Sequence, residues 1–353
     1  MTKRNTFIEL MRFLFSILVV GYHLQMSMNN DEKNLFENGA VAVEFFFLIS
    51  GYFMARSLEK MNQKNEDIPL ATYQFMVGKV KGILPTHIVA IIGIILVTLI
   101  LNFKGFLHKM WAGLPSIFLL QQAIFWKDKY QDALIIPEWY LSAMLLSMLF
   151  MIPVLLLLRR RFSGIKTTAL TTGVFAVILV AVLAMMKFKF NTNFIYDFRA
   201  VIELLVGMFA YYFAEFLAKK ETLPLSPKTL KIAEICCYGI PLLFGTLPMK
   251  VSLQPLCMAM TVIGVFFGIS ITFSGKGNQI KNDKANQVFG YLGAISLSVY
   301  LFHPVIIDAL DYAKPDMTLG VKYGITLILT AVCSVAFKFL NDKRLQKAKE
   351  KAS

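Results

Sequence analysis

The hydrophobic positions of this chain fall into long runs, and polar residues separate one run from the next. Ten runs have the length of about 20 residues that a helix needs to cross a bilayer. They predict an all-α, polytopic membrane protein with spans at residues 7–25, 39–57, 82–102, 137–158, 167–187, 198–218, 232–249, 254–274, 289–310 and 319–340. A further run at 114–126 has only thirteen residues, which favours an interfacial or re-entrant segment over a crossing.

The composition agrees with this class of protein. Of the 353 residues, 57% are hydrophobic and 16% are charged, whereas a soluble domain carries about 25% charged residues. The net charge is +14, but Lys and Arg lie in short segments between the spans, which argues against a nucleic acid partner. The four cysteines lie in apolar runs without metal-ligand spacing, and we expect no metal site.

The distribution of Lys and Arg predicts the orientation of the spans. With the N-terminus inside, 24 of the 36 Lys and Arg residues lie in inner segments or at the inner ends of spans, and 10 lie in outer segments or at the outer ends of spans. Arg12 and Arg199 are counted within spans. Cytoplasmic loops carry such an excess. We therefore predict that both termini are cytoplasmic, with a single transmembrane domain over residues 1–345 and a basic cytoplasmic tail over 346–353.

The first span carries polar residues on one face. Arg12 and His23 are eleven residues apart, which is about three helical turns and roughly 16 Å along the axis. Glu9 and Ser16 belong to the same stripe. Charged side chains inside a span usually face the bundle interior or a wet cavity, although Arg12 could instead snorkel to one membrane surface while His23 lies at the other.

Two other spans place polar groups at the depth of His23. Glu44 lies in the outer part of the second span, and His303 lies in the outer third of the ninth. A carboxylate beside a histidine orients the imidazole and raises its basicity, as in general-base catalysis. We therefore predict that Glu44 orients His23, although the helix dipole also favours a glutamate at a helix entrance.

The sixth span predicts a structural cluster. Arg199, Glu203 and Gly207 are spaced by four residues, which indicates an ion pair and a close-packing glycine on one helix face. Gly51 in the second span is also predicted to pack closely against a neighbouring helix.

Residues at the span ends have both structural and functional interpretations. Lys79 and Lys81 stand at the inner rim of the third span, where lysines act as topology signals or as ligands of phosphate groups. Trp139 and Tyr140 begin the fourth span and are typical of an interfacial aromatic belt.

Together these residues resemble the membrane-embedded acyltransferase family 3. The pair Arg12 and His23 matches the Arg-x10-His signature of the family, and VEFFFLISGYFMA is similar to its second block, with Glu44 in the acidic place. Four further features match in order, namely Pro85 of the third-span block, EWYLSAM, FRAVIELLVGM and SVYLFHP. The likeness covers nearly the whole chain.

Two blocks of the sequence depart from the family pattern. Many members have two arginines before the third-span proline, where this chain has Lys79 and Gly82, with Lys81 alongside. Lysine lacks the bidentate fork of arginine. Many members also follow the Trp block with two glutamates, where this chain has Met144 and Leu145.

The resemblance implies transfer of an acyl group, most often acetyl, from cytoplasmic acetyl-CoA to a hydroxyl of an extracytoplasmic glycan or lipid-linked sugar. It places the protein, with lipid around it, in the plasma membrane of a bacterial cell. The implied site residues are catalytic His23, Glu44 and His303, donor-binding Arg12, Lys79, Lys81 and Arg199, and substrate-binding Ser50, Tyr52, Trp139 and Tyr140.

In this scheme His23 is the general base for the acceptor hydroxyl, and His303 acts on the acceptor or as a relay. Direct transfer and a step through a covalent acyl-histidine are both compatible with it. The competing interpretation is a transporter or flippase of an envelope polysaccharide precursor, in which buried Arg, Glu and His residues form a path for protons or substrate. A structural partner in envelope-polymer assembly is a third alternative. The enzyme would consume the thioester, whereas a transporter would leave it unchanged.

Overall fold

The computed structural model describes residues 5–27, 35–122, 133–161, 192–249 and 253–350, with side chains for all of these except 192–197. The residues in these ranges form helices and turns, with no strand. Nine of the described helices are long and apolar enough to cross a membrane, which confirms the polytopic all-α class. The span predicted at 167–187 lies outside the described residues.

The described helices are numbered here in chain order. They are α1 Thr6–Met26, α2 Ala42–Gln63, α3 Ile68–Leu101, α4 Phe106–Ala112, α5 Leu114–Ile117, α6 Trp139–Arg161, α7 Thr192–Lys219, α8 Pro227–Thr246, α9 Gln254–Phe273, α10 Asp283–Ala313 and α11 Leu319–Glu350. Single 3-10 turns precede three of them, at Gly39–Val41, Phe103–Gly105 and Ile136–Glu138.

Side-chain caps fix where several helices begin. The Asn5 side chain accepts a hydrogen bond from the Phe7 backbone N–H at 3.0 Å, and Ser226 and Asn282 cap α8 and α10 in the same way. Asp67 caps α3, so this helix begins at Ile68 and not at the predicted residue 82. A cap satisfies backbone N–H groups that have no partner in the first helical turn.

Two further features differ from the predicted spans. Proline is best tolerated in the first turn of a helix, but Pro85 lies well beyond the first turn of α3. The last helix continues to Glu350, so the tail predicted at 346–353 is helical as far as that residue.

Helices α1 and α10 pack side by side and run in the same direction. Near their first turns, the Thr6 hydroxyl donates to the Asn286 side-chain oxygen at 2.5 Å, and further along His23 meets His303. Glu9 fills the space opposite Gly293, where a Cβ would overlap the glutamate side chain. The polar stripe of α1 therefore faces α10. We call the end of the bundle at Thr6 the basic end and the opposite end the histidine end.

Helices α2 and α6 run from the histidine end to the basic end. Gly39, just before α2, lies against Leu18 and Tyr22 near the end of α1. Arg159, in the last turn of α6, pairs with Glu59 of α2 at 2.8 Å. The basic residues that close α6 thus lie at the end where α1 begins, as the charge distribution predicts.

Glycines allow α2 and α7 to pack with their backbones in contact. A Cβ at Gly51 would overlap the backbone of Leu204, and a Cβ at Gly207 would overlap the backbone of Leu48. Small residues permit this approach between membrane helices. The predicted close-packing roles of Gly51 and Gly207 are confirmed.

Two short helices, α4 and α5, connect α3 to α6 at the histidine end. They have seven and four residues, too few to cross a membrane. The buried His87 of α3 holds this segment, with Nδ1 at 2.6 Å from Glu138 Oε1 and Nε2 at 3.1 Å from the Ile117 carbonyl oxygen. Gln121 also donates to Glu138, at 3.3 Å. The described part of the short run, residues 114–122, therefore makes no crossing.

Candidate active site

His23 and His303 meet at the histidine end of the bundle. His303 Nε2 lies 3.2 Å from His23 Nδ1, and the ring centroids are 5.1 Å apart. His303 is fully buried, whereas His23 is half-buried. The structure therefore brings together two predicted site residues that are 280 positions apart in the chain.

Each histidine ring is also held by a carbonyl group of its own helix. His23 Nδ1 lies 2.9 Å from the Val19 oxygen, and His303 Nδ1 lies 3.1 Å from the Val299 oxygen. Since both carbonyls are one turn earlier on the same helix, they fix the ring orientations locally. His23 Nε2 has no hydrogen-bond partner among the described residues.

The predicted contact between His23 and Glu44 is not formed. Glu44 is fully buried and forms an ion pair with Arg199. The next residue, Phe45, stacks on Phe15 of α1 with ring centroids 4.4 Å apart. Successive helical residues point about 100° apart, so the α2 face that packs on α1 carries Phe45 and directs Glu44 towards α7. The prediction that Glu44 orients His23 is therefore wrong.

Arg199 is the centre of a buried charge cluster. Its Nε donates to Glu203 Oε1 at 2.7 Å, its Nη2 donates to Glu44, and the guanidinium lies 5.8 Å from the centre of the Trp139 ring. The predicted ion pair between Arg199 and Glu203 is confirmed. Two carboxylates already surround this cation, so the arrangement does not support Arg199 as a ligand of an anionic donor.

Polar aromatic residues connect the histidine pair to the middle of the bundle. The Tyr300 ring lies 6.2 Å from His303 and 6.0 Å from the Tyr140 ring. The Tyr140 hydroxyl donates to the Phe46 carbonyl at 3.0 Å, so the Ser50 hydroxyl, at 3.1 Å, donates to the Tyr140 oxygen. Ser50 and Tyr140 thus lie between the two ends of the bundle, on the side of α2 that faces α6.

Tyr52 and Trp139 lie elsewhere. Tyr52 stacks on Phe273 at 4.1 Å and contacts Tyr211, on the side of α2 opposite Ser50, because residues two apart on a helix do not face each other. Trp139 packs against Arg199 and Phe47. The structure does not bring either residue to the histidine pair.

Arg12 and Lys79 supply positive charge on the basic side of Tyr140. Arg12 Nη1 lies 3.1 Å from Glu9 Oε2, and its side chain is 34% exposed. Arg12 lies close enough to Lys79 and to Tyr140 for its charge to act on each of these side chains. Lys81 is exposed and lies about 200° around α3 from Lys79. Only one of the two predicted lysines therefore faces Arg12.

The sequence did not single out Lys322 or Glu138. The Lys322 ammonium is buried, donates to Ser27 Oγ at 2.6 Å and pairs with Asp311, which places a charged contact one turn beyond His23. Glu138 was part of the Trp block, but a lone glutamate before a span gives no sign of its partner. Both contacts join segments far apart in the chain.

No group of three or more metal-ligating side chains that could hold an ion occurs within the described ranges. The site offers imidazole nitrogens, tyrosine and serine hydroxyls, and two cations. This set can accept a proton and attract an anion.

Residues 5–339 match the family of the acyltransferase domain. Since the match spans nearly the whole chain, the protein belongs to acyltransferase family 3 and is a multi-pass membrane acyltransferase. Searches of curated proteins and of solved structures gave no match.

Proposed function

We propose that the protein transfers an acyl group, in the simplest case acetyl, from cytoplasmic acyl-CoA to a hydroxyl of an extracytoplasmic glycan or lipid-linked sugar. The bacterial plasma membrane is the proposed location. The observation that carries this proposal is the placement of polar groups along the bundle: the His23–His303 pair lies at the histidine end, and the cations Arg12 of α1 and Lys79 of α3 lie towards the basic end.

The proposed reaction is a direct transfer with His23 as the general base. His23 takes the proton from the acceptor hydroxyl, and the hydroxyl oxygen attacks the thioester carbonyl carbon. The carbon–sulfur bond breaks, and the departing CoA thiolate receives the proton from the His23 imidazolium. An ester and free CoA thiol result, with no net gain or loss of protons. A positioned base of this kind contributes about 10²–10⁴-fold.

The donor lies along α1 in this proposal. Arg12 and Lys79 attract the phosphates of CoA at the basic end, and the pantetheine arm extends past Ser50 and Tyr140 towards His23. Arg12 and His23 are roughly 16 Å apart along the helix axis, comparable with the length of that arm. The position of Tyr140 supports this path. Tyr140 lies within range of the Arg12 charge and contacts Tyr300, which lies beside His303.

The test is turnover of acetyl-CoA labelled in the acetyl group by the purified protein in lipid nanodiscs. The acceptor is a washed envelope fraction from cells that lack the gene. We expect free CoA and labelled glycan in equal amounts with the wild-type protein, and a loss of about 10²-fold or more with His23→Gln. His108→Gln is the matched control, because His108 is exposed on α4.

Two outcomes would contradict the proposal. Intact acetyl-CoA in the presence of folded protein and envelope acceptor would favour the transporter interpretation. Equal turnover by the wild-type protein and His23→Gln would remove His23 from the chemistry.

A further inference from the structure

We propose that His303 is a positioning residue that fixes the tautomer of His23, so that Nε2 of His23 is the basic nitrogen. The sequence suggested that His303 acts on the acceptor or as a relay. The geometry assigns His303 a different role, because its Nε2, the ring nitrogen that does not contact Val299, lies 3.2 Å from His23 Nδ1. The kinetic consequence of this inference rests on the proposed function, whereas the tautomer itself can be measured without it.

The assignment starts at the buried ring of His303. A backbone carbonyl oxygen can only accept a hydrogen bond, so the ring nitrogen that contacts it must carry the proton. His303 Nδ1 lies 3.1 Å from the Val299 oxygen and is therefore the protonated nitrogen. A neutral imidazole carries one N–H, which leaves His303 Nε2 with a lone pair.

A backbone contact also shows which ring nitrogen of His23 carries the proton. Its Nδ1 lies 2.9 Å from the Val19 oxygen, so this nitrogen carries the proton. The N–H is shared between two acceptors, the Val19 oxygen and His303 Nε2 at 3.2 Å. The opposite tautomer of His23 would direct a lone pair at both of these acceptors. His23 Nε2 consequently carries no proton and keeps its lone pair, on a ring that is only half-buried.

His303 thus takes the place that a carboxylate has in many histidine-based active sites. The carboxylate predicted for this task, Glu44, is bound to Arg199. When His23 accepts a proton at Nε2, its Nδ1–H becomes a cationic donor, and the hydrogen bond to His303 Nε2 becomes charge-assisted and stronger. His303 therefore supports the base while it touches neither acyl donor nor acceptor.

The direct test is nitrogen NMR of protein labelled with ¹⁵N-histidine in nanodiscs. The chain has four histidines, and His87→Gln, His108→Gln and His303→Gln assign their signals by elimination. We expect a protonated Nδ1 and a bare Nε2 for both His23 and His303 in the resting protein. A protonated Nε2 on either ring would overturn the proposal, whether or not the protein transfers acyl groups.

The kinetic test compares two replacements of His303. Glutamine can place an amide oxygen near the position of Nε2 and accept the bond from His23, so His303→Gln should keep most of the activity. Phenylalanine has similar volume but no acceptor. His303→Phe should lower kcat by about 10-fold or more, less than complete loss of the base, because Val19 still binds the His23 N–H. KM for acetyl-CoA should stay unchanged.

The result distinguishes a positioning role from the alternatives. His303→Phe should also move part of the His23 population to the tautomer protonated at Nε2, which NMR detects. If His303 acted directly on substrate, Gln would be as inactive as Phe, and that outcome would overturn the proposal. An unchanged His23 spectrum in His303→Phe would do the same.

Discussion

The presence or absence of a charged partner separates structural from catalytic residues in the buried part of this bundle. Arg199 carries one positive charge and contacts two carboxylates, those of Glu44 and Glu203. The histidine pair, in contrast, has no charged partner among the described residues and relies on the carbonyl groups of Val19 and Val299. The ion cluster therefore stabilises the packing of α2 on α7, and the histidines remain available for proton transfer.

This pairing predicts unequal effects of two substitutions that each remove one charge. Arg199→Gln leaves two buried carboxylates without a counter-charge and should destabilise the protein by about 3–5 kcal/mol, as when a buried ion pair loses one partner. Glu44→Gln leaves Arg199 paired with Glu203 and should change stability much less. Thermal unfolding in nanodiscs measures both variants. Equal destabilisation by the two would contradict the assigned cluster.

The two lysines at the start of the third span provide a second comparison of single residues. Lys79 lies near Arg12, and Lys81 is exposed about 200° around the same helix. If the donor phosphates bind at Arg12, Lys79→Gln should raise KM for acetyl-CoA several-fold with little change in kcat. Lys81→Gln has the same loss of charge and should leave KM unaltered. Equal effects would indicate a general surface attraction and not a site.

At the level of helices, two glycines allow close backbone packing between α2 and α7. Gly51 and Gly207 bring the backbones of α2 and α7 together, and this approach places Glu44 within reach of Arg199. Because Glu44 points towards Arg199, the face of α2 that carries Phe45 and Phe46 packs against α1, α6 and α10. The packing of one helix pair thus determines which side chains line the site.

A methyl group at this contact should separate the two helices. In Gly207→Ala the added Cβ would overlap the Leu48 backbone, and overpacking of this kind typically costs about 1–3 kcal/mol. Gly324→Ala is the control, because a Cβ there meets nothing within 4 Å and alanine favours a helix by about 1 kcal/mol over glycine. Unfolding temperatures should fall for the first variant and stay level or rise for the second. Equal shifts would contradict the contact.

At the scale of the whole molecule, helix positions could be predicted from sequence better than side-chain partners. The length of each apolar run predicted the polytopic class, and the spacing of Arg199, Glu203 and Gly207 predicted contacts within one helix and its nearest neighbour. His23 and Glu44 failed as a pair because depth in the membrane says nothing about helix rotation. The His87 contact with Glu138 joins α3 to the turn before α6, and no local pattern contains that information.

The cations and the histidine pair lie towards opposite ends of the bundle. Arg12 and Lys79 lie towards the end where α1 begins, and the half-buried His23 lies in its last turn. The chain between Arg12 and His23 is a single helix, so the distance between these two residues is fixed by its backbone. Donor and acceptor therefore approach the site from opposite ends of the bundle in our proposal.

Transfer across the membrane of proteoliposomes shows whether donor and acceptor reach the site from opposite ends of the bundle. Acetyl-CoA labelled in the acetyl group is sealed inside the vesicles, the envelope glycan is added outside, and protease access to the C-terminal tail sorts the vesicles by protein orientation. We expect labelled glycan outside and free CoA inside when the basic end faces the lumen, and no transfer with His23→Gln. Intact acetyl-CoA outside, or glycan labelled only when it shares a compartment with the donor, would contradict it.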